Sequence, residues 1–125
     1  MSEKALNVLG EPLEICSCDP VTGWYRDGFC KTDSLDLGQH TVCCVMTQSF
    51  LTYSKGQGND LSTPMPGYGF NGLKPGDHWC LCAARWKQAY EDGMAPFVCL
   101  NSTEMSALQL IGIELLMQHA FKQTH

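Results

Sequence analysis

Eight cysteines and four histidines are the residues of this 125-residue chain with the widest chemical reach. A cysteine attacks as its thiolate, and a thiolate needs a neighbouring base, a cation or a helix N-terminus. Two positions meet that requirement by spacing. Cys43 follows His40 by three residues and stands just before a helix expected to begin after Thr47. Cys82 stands just before another expected helix that carries Arg85 within its first turn. Cys82, Cys43 and His40 are therefore the candidate catalytic residues of a thiol nucleophile or redox centre. The competing account is plain burial, because Val42, Val45, Leu81 and Ala83 surround these thiols and cysteine is among the most buried residue types. A structural zinc site is a third chemistry. Such sites usually present C-x2–4-C pairs, and this chain has no C-x-x-C. Its C-x-C pairs, Cys16/Cys18 and Cys80/Cys82, would point both sulfurs to one face of an extended strand, with His78 on the same face by the period of two. Packing is the simpler account of these thiols, so neither a metal nor a cofactor is expected.

A second set of polar groups gathers in a long loop. Between Gly56 and Gly76 there are six glycines and three prolines, with neither helical nor strand periodicity. Loops of this length in compact domains are usually functional or disordered. Leu61, Tyr68, Phe70 and Leu73 supply apolar groups to pin the loop, which favours an ordered one. Asn59, Asp60 and Thr63 then converge with Arg26, Asp27, Arg85 and Trp86 around a small polar molecule, the pattern of a small-molecule site. The plainer alternatives are an Asn/Asp turn that satisfies its own backbone and a solvated hairpin tip at Arg26 and Asp27. GQGND at 56–60 matches neither phosphate-loop pattern, although Gly58 and Asn59 suit a backbone anion nest.

The elements that must position these groups alternate between short strands and helices. TVCCVM (41–46) is a β-branched apolar run, Thr47 caps a helix QSFLTYSK, and Gly56 stops it. The plan repeats: Gly76-Asp77 precede the strand HWCLCA, residues 85–90 form a helix, and Gly93 closes it. The rival for this stretch is one helix over 78–92. Asp27-Gly28 marks a hairpin in WYRDGFC, and NVLGEPLEI (7–15) reads as short strand or coil. FVCL (97–100) and ALQLI (107–111) read as strands, and residues 114–122 as a C-terminal helix. The fold expected is α+β: a small mixed sheet of short strands with about three helices and one long ordered Gly/Pro-rich loop, all in a single domain over residues 1–125.

Length and composition narrow the functions. A chain of this size buries roughly two thirds of its unfolded surface without disulfides. MSEKALNVLG lacks an apolar segment behind a basic one, and nowhere do 18 apolar residues run together, so a cytoplasmic protein without a membrane span is expected. Cytoplasmic thiols stay reduced, so no disulfide is expected either. A formal charge of −5 with scattered Lys and Arg argues against nucleic acid. The oligomeric state is left open.

NVLG (7–10), TGWYRDGFC (22–30), HTVC (40–43), GNDLSTP (58–64) and GLKPGDHWCLCAARW (72–86), in this order, resemble a family of small bacterial and plant proteins catalogued as a domain of unknown function. The resemblance spans about residues 7–121 and implies no activity. Its motifs include Cys16, Cys30, His40, Cys43, Cys80 and Cys82, whereas Cys18, Cys44 and Cys99 depart from them. The reading reached from sequence is a small-molecule-binding protein with a polar and aromatic site under the 56–76 loop. The alternatives are a thiol-dependent enzyme and a structural zinc module.

Overall fold

The computed structural model describes residues 6–17, 22, 28–31, 40–58, 60–64 and 72–121. A three-stranded sheet lies at the centre: β1 (His40–Val45), β2 (His78–Cys82) and β3 (Phe97–Val98), in the order β2-β1-β3. Both strand pairings are antiparallel, and a single parallel bridge joins Val98 of β3 to Ala120. Three helices accompany it, α1 (Gln48–Gly56), α2 (Ala83–Glu91) and α3 (Ile113–Gln118), and the class is α+β as the alternation implied.

β1 is buried along almost its whole length, which is why its sequence is a continuous apolar run rather than an alternating one. Its alternate side chains nevertheless go to two different environments. Val42 and Cys44, with Trp79 and Leu81 of β2 and Val98 of β3, enter the main core against Phe50 and Leu51 of α1, Ala83, Trp86 and Ala89 of α2, and Leu116 of α3. Cys43 and Cys80 project from the opposite face into a second cluster with Cys16 and Cys30. The N-terminal segment reaches both sides, with Val8 in the main core and Cys16 in the second cluster. The buried Asn7 pins it, donating to the Asn101 carbonyl at 3.0 Å and accepting from the N–H groups of Leu9 and Glu11.

Local chemistry accounts for the element ends. Thr47 caps α1 by accepting from the Phe50 N–H at 3.1 Å. The turn before β2 is tied by Asp77, whose carboxylate accepts from the Lys74 N–H and whose carbonyl accepts from Met46. Strand passes directly into helix at Cys82, so residues 78–92 are not one helix. Two expectations need correction downstream. Residues 107–111 are not a strand: Met105–Gln109 form a 3-10 turn capped by Glu104, which accepts from the Ser106 N–H at 2.8 Å. Ala107 and Ile111 are buried while Leu108 and Leu110 are exposed, a spacing of four and not of two. β3 is also shorter than FVCL, because the chain turns at Leu100–Ser102. α3 ends at Gln118, after which Phe121 donates to the Val98 carbonyl and continues along β3. Trp24 to Asp27 of the expected hairpin lie outside the described residues. So does the middle of the long loop, whose two ends meet where Leu73 donates to the Leu61 carbonyl at 2.7 Å.

That junction demands a glycine. Gly72 has φ +82°, and a Cβ there would lie 2.4 Å from the Ser62 carbonyl oxygen. Gly76 has φ +93° but open space around it. Gly72→Ala should therefore destabilise the fold by about 2 kcal/mol or more, from clash added to backbone strain, and Gly76→Ala by about 1 kcal/mol from strain alone. Denaturant midpoints check this, and equal losses at the two positions would contradict it.

Candidate functional site

Cys43 and Cys80 face each other across β1 and β2. The Cys43 N–H donates to Thr103 Oγ1 at 3.1 Å and its carbonyl accepts from the Cys99 N–H at 2.8 Å, while the Cys80 N–H donates to Thr22 Oγ1 at 2.8 Å. Their backbone groups thus point away from one another. This is the non-hydrogen-bonded position of an antiparallel ladder, where facing side chains stand closest. Thr22 and Thr103 are fully buried, so the two hydroxyls replace ladder partners that these strand positions lack. Cys99, the residue after β3, extends the row through its bond to the Cys43 carbonyl, so Cys80, Cys43 and Cys99 follow one another across the sheet.

Neither Cys43 nor Cys80 bonds its neighbour in the row. Cys16 bonds Cys43 and Cys30 bonds Cys80, with Cα separations of 5.8 and 5.2 Å inside the range that a disulfide spans. The expectation of no disulfide is therefore overturned. Its physical cause is the chain that covers this face: Cys16 and Ser17 donate to the Gly28 carbonyl, which fastens the two covering segments together and sets both their sulfurs over β1 and β2. Gly28 has φ +90° and packs where a Cβ would meet Ile15 at 2.8 Å. The bridges close 27 and 50 residues, each worth roughly 4 kcal/mol in the chain-entropy account. Because the loops overlap in sequence, the two contributions do not simply add.

Two Cys–His pairs flank the disulfides. The register slips between His40 and Val42, a bulge that leaves His40 opposite Cys82. Cys82 Sγ lies 3.2 Å from His40 Nε2. Cys82 is half-buried and is the residue from which α2 starts, with no side-chain hydrogen bond to the helix. At the other end Cys99 Sγ lies 3.8 Å from His78 Nδ1. Burial pushes the Cys99 thiol up to about 11. Cys44, on the core face, is driven well above the ordinary thiol range by burial and then by Cys99. Of the free cysteines among the described residues, Cys82 is thus the one that combines partial exposure with a close imidazole and a helix start. The three catalytic candidates read from spacing are redistributed: Cys82 pairs with His40, and Cys43 is held in a disulfide. His78, Cys80 and Cys82, which share a strand, are divided among Cys99, Cys30 and His40.

Of the candidate ligand-binding residues, Asp60, Thr63, Arg85 and Trp86 are described. Arg26, Asp27 and Asn59 fall outside the described residues. Trp86 is enclosed in the core, where its indole N–H donates to the Pro96 carbonyl at 3.2 Å and its ring stacks on Tyr90. Arg85 is half-buried on α2, and its charge acts on Tyr53, whose hydroxyl donates to Asp92. Asp60 accepts from the N–H groups of Ser62 and Thr63 and from both their hydroxyls. The Thr63 hydroxyl, followed by these other donors, lowers the Asp60 carboxyl to about 2. A depressed carboxyl stabilises the fold above its unfolded value, about 3.9, and the stabilisation is lost as pH falls through the folded value. The stability difference between wild type and Asp60→Asn should therefore shrink as pH falls from about 4 to about 2. Denaturant midpoints over that range test it, and a pH-independent difference would contradict the assignment.

No helix among the described residues is long and apolar enough to cross a membrane. No curated protein matches the chain. The model of the DUF2237 family, an uncharacterised protein conserved in bacteria, matches residues 6–120, in agreement with the motif resemblance, and six of the cysteines and histidines in those motifs are the ones gathered on this sheet face. On that match across nearly its whole length, the chain belongs to the DUF2237 family.

Proposed function

We propose that this protein is a thiol–disulfide exchange enzyme that acts through Cys82 on low-molecular-weight disulfides. The observation that carries the reading is Cys82 Sγ at 3.2 Å from His40 Nε2, at the start of α2. A thiol beside an imidazole is the arrangement from which a cysteine nucleophile is generated, with the ring taking the proton. The Cys82 thiol gives its proton to His40 Nε2, and the resulting thiolate attacks one sulfur of a disulfide RSSR. A Cys82–SR bond forms as the RS–SR bond breaks. The departing RS⁻ recovers the proton from the imidazolium and leaves as RSH. A second thiol, R′SH, attacks the Cys82–SR bond in the same way, releasing RSSR′ and restoring the Cys82 thiol. The two buried disulfides tie the covering segments to β1 and β2 and take no part in the turnover.

The small polar ligand under the 56–76 loop is the weaker reading. Asp60 spends its acceptor capacity on its own turn, and Trp86 spends its N–H on Pro96. The exchange reading draws together Cys82 and His40, two residues that the motifs already contain.

Incubation of the native protein with glutathione disulfide, followed by peptide mass mapping, tests the reading. Cys82 should be the first thiol modified, ahead of Cys99 and Cys44. His40→Gln should slow its modification at neutral pH by about tenfold or more, in line with the loss of a positioned base, while leaving the circular dichroism unchanged. Modification of Cys99 before Cys82, or an unchanged rate in His40→Gln, would overturn it.

A further inference from the structure

The two disulfides are close enough to one another to be a single site. The sulfurs of Cys16, Cys30 and Cys80 all lie within 4.8 Å of one another, and the Cys43 sulfur is bonded to that of Cys16. All four residues are buried, with relative exposures of 7, 0, 0 and 1% for Cys16, Cys30, Cys43 and Cys80. A tetrahedral Zn²⁺ with four thiolates at about 2.3 Å has its sulfurs about 3.8 Å apart, and structural zinc sites are closed to solvent in this way. Separating each bonded pair while keeping the two pairs in contact arrives at that spacing, so the change needed is local to four side chains.

We infer that reduction of the Cys16–Cys43 and Cys30–Cys80 disulfides converts this cluster into a four-cysteine zinc site, and that oxidation expels the metal. A dithiol supplies two electrons and two protons to each disulfide and is itself oxidised to a disulfide. Four thiols result. Zn²⁺ then displaces their four protons and is held by four thiolates. Reoxidation removes two electrons from each cysteine pair, to a disulfide acceptor, and frees the ion.

Two features of the fold favour this outcome. The row positions are fixed independently of the sulfur bonds, since Thr103 and Thr22 hold the backbone N–H groups of Cys43 and Cys80. The covering segments are likewise held without sulfur, by the bonds of Cys16 and Ser17 to Gly28 and of Glu14 to Asn101. The four sulfurs therefore stay together when the disulfides open. Thiolates in a site this dry are too costly to stand unpaired, and a divalent ion is what lets all four ionise. A second group, Cys43, His78 and Cys99, also lies within 4.8 Å, but two of its three ligands are only half-buried, and its Cys43 is the residue bonded to Cys16 of the first group. The buried trio of Cys16, Cys30 and Cys80 gains its fourth sulfur from Cys43 when the Cys16–Cys43 bond opens, which completes a four-thiolate set. The inference does not rest on the exchange activity of Cys82, which belongs to neither group.

The test is titration of the full-length protein with Zn²⁺ against a chromophoric chelator, before and after reduction by a phosphine without oxygen. The reduced protein should bind one equivalent and the oxidised protein less than a tenth of that. X-ray absorption should show a first shell of sulfur alone. Cys30→Ser should weaken binding at least about 100-fold, because a ligand is lost outright, whereas Cys99→Ser and His78→Asn should leave it within about threefold. Should Cys30→Ser fail to fold, the wild type still decides the matter: bound Zn²⁺ should protect Cys16, Cys30, Cys43 and Cys80 from alkylation and leave Cys82 as reactive as before. No binding after reduction, equal binding by the oxidised protein, nitrogen in the first shell, or loss of zinc in Cys99→Ser would each overturn the inference.

Discussion

Placing Cys43 directly opposite Cys80 fixes which side of the sheet does chemistry and which side folds the protein. Side chains alternate along a strand, so this one juxtaposition commits Val42, Cys44, Leu81 and Trp79 to the face beneath the helices. A slip of one residue between β1 and β2 would exchange the two sets. The thiols would then lie against Phe50 and Trp86, and the large apolar side chains against the N-terminal coil. At about 25 cal/mol per Å² of apolar surface, returning side chains of the size of Leu81 and Trp79 to a wet face costs several kcal/mol. The main core thereby enforces the register that assembles the cysteine cluster, and the cluster in turn ties the N-terminal segments over the sheet.

The bulge at the start of β1 adds the one irregularity that the candidate site needs. Regular pairing would carry Thr41, not His40, to the position opposite Cys82. The bulge gives that place to His40, while Thr41 stays buried with its carbonyl accepting from Glu104. An imidazole is thus aimed at a thiol by a feature of backbone geometry, which is how bulges commonly serve sites at sheet edges.

β1, α1, β2 and α2 were legible in the sequence because their signals are local: a β-branched run followed by the Thr47 cap, and Gly76-Asp77 before HWCLC. Residues 107–111 misled because five residues with four apolar members fit a strand and a helical turn equally well, and the deciding group is the Glu104 carboxylate three residues earlier. The candidate site was half legible. Cys82 and His40 were both singled out, yet as members of different pairs, since the contact joins residues 42 apart through a bulge that no local pattern announces. The disulfide partners were beyond reach for a related reason. Eight cysteines admit on the order of 100 complete pairings, and the choice is made by Gly28 and Asn7, which fasten coil segments without periodicity over the sheet.

The central claim is that Cys16, Cys30, Cys43 and Cys80 meet on one face of the sheet in a single arrangement. Non-reducing peptide mapping of the native protein, equilibrated in a mildly oxidising glutathione buffer and trapped with acid, tests it most directly. The account predicts Cys16–Cys43 and Cys30–Cys80 as the cross-linked peptides, with no bond joining Cys43 to Cys80. A Cys43–Cys80 bond, a Cys80–Cys82 bond, or four freely alkylated cysteines at these positions would contradict it.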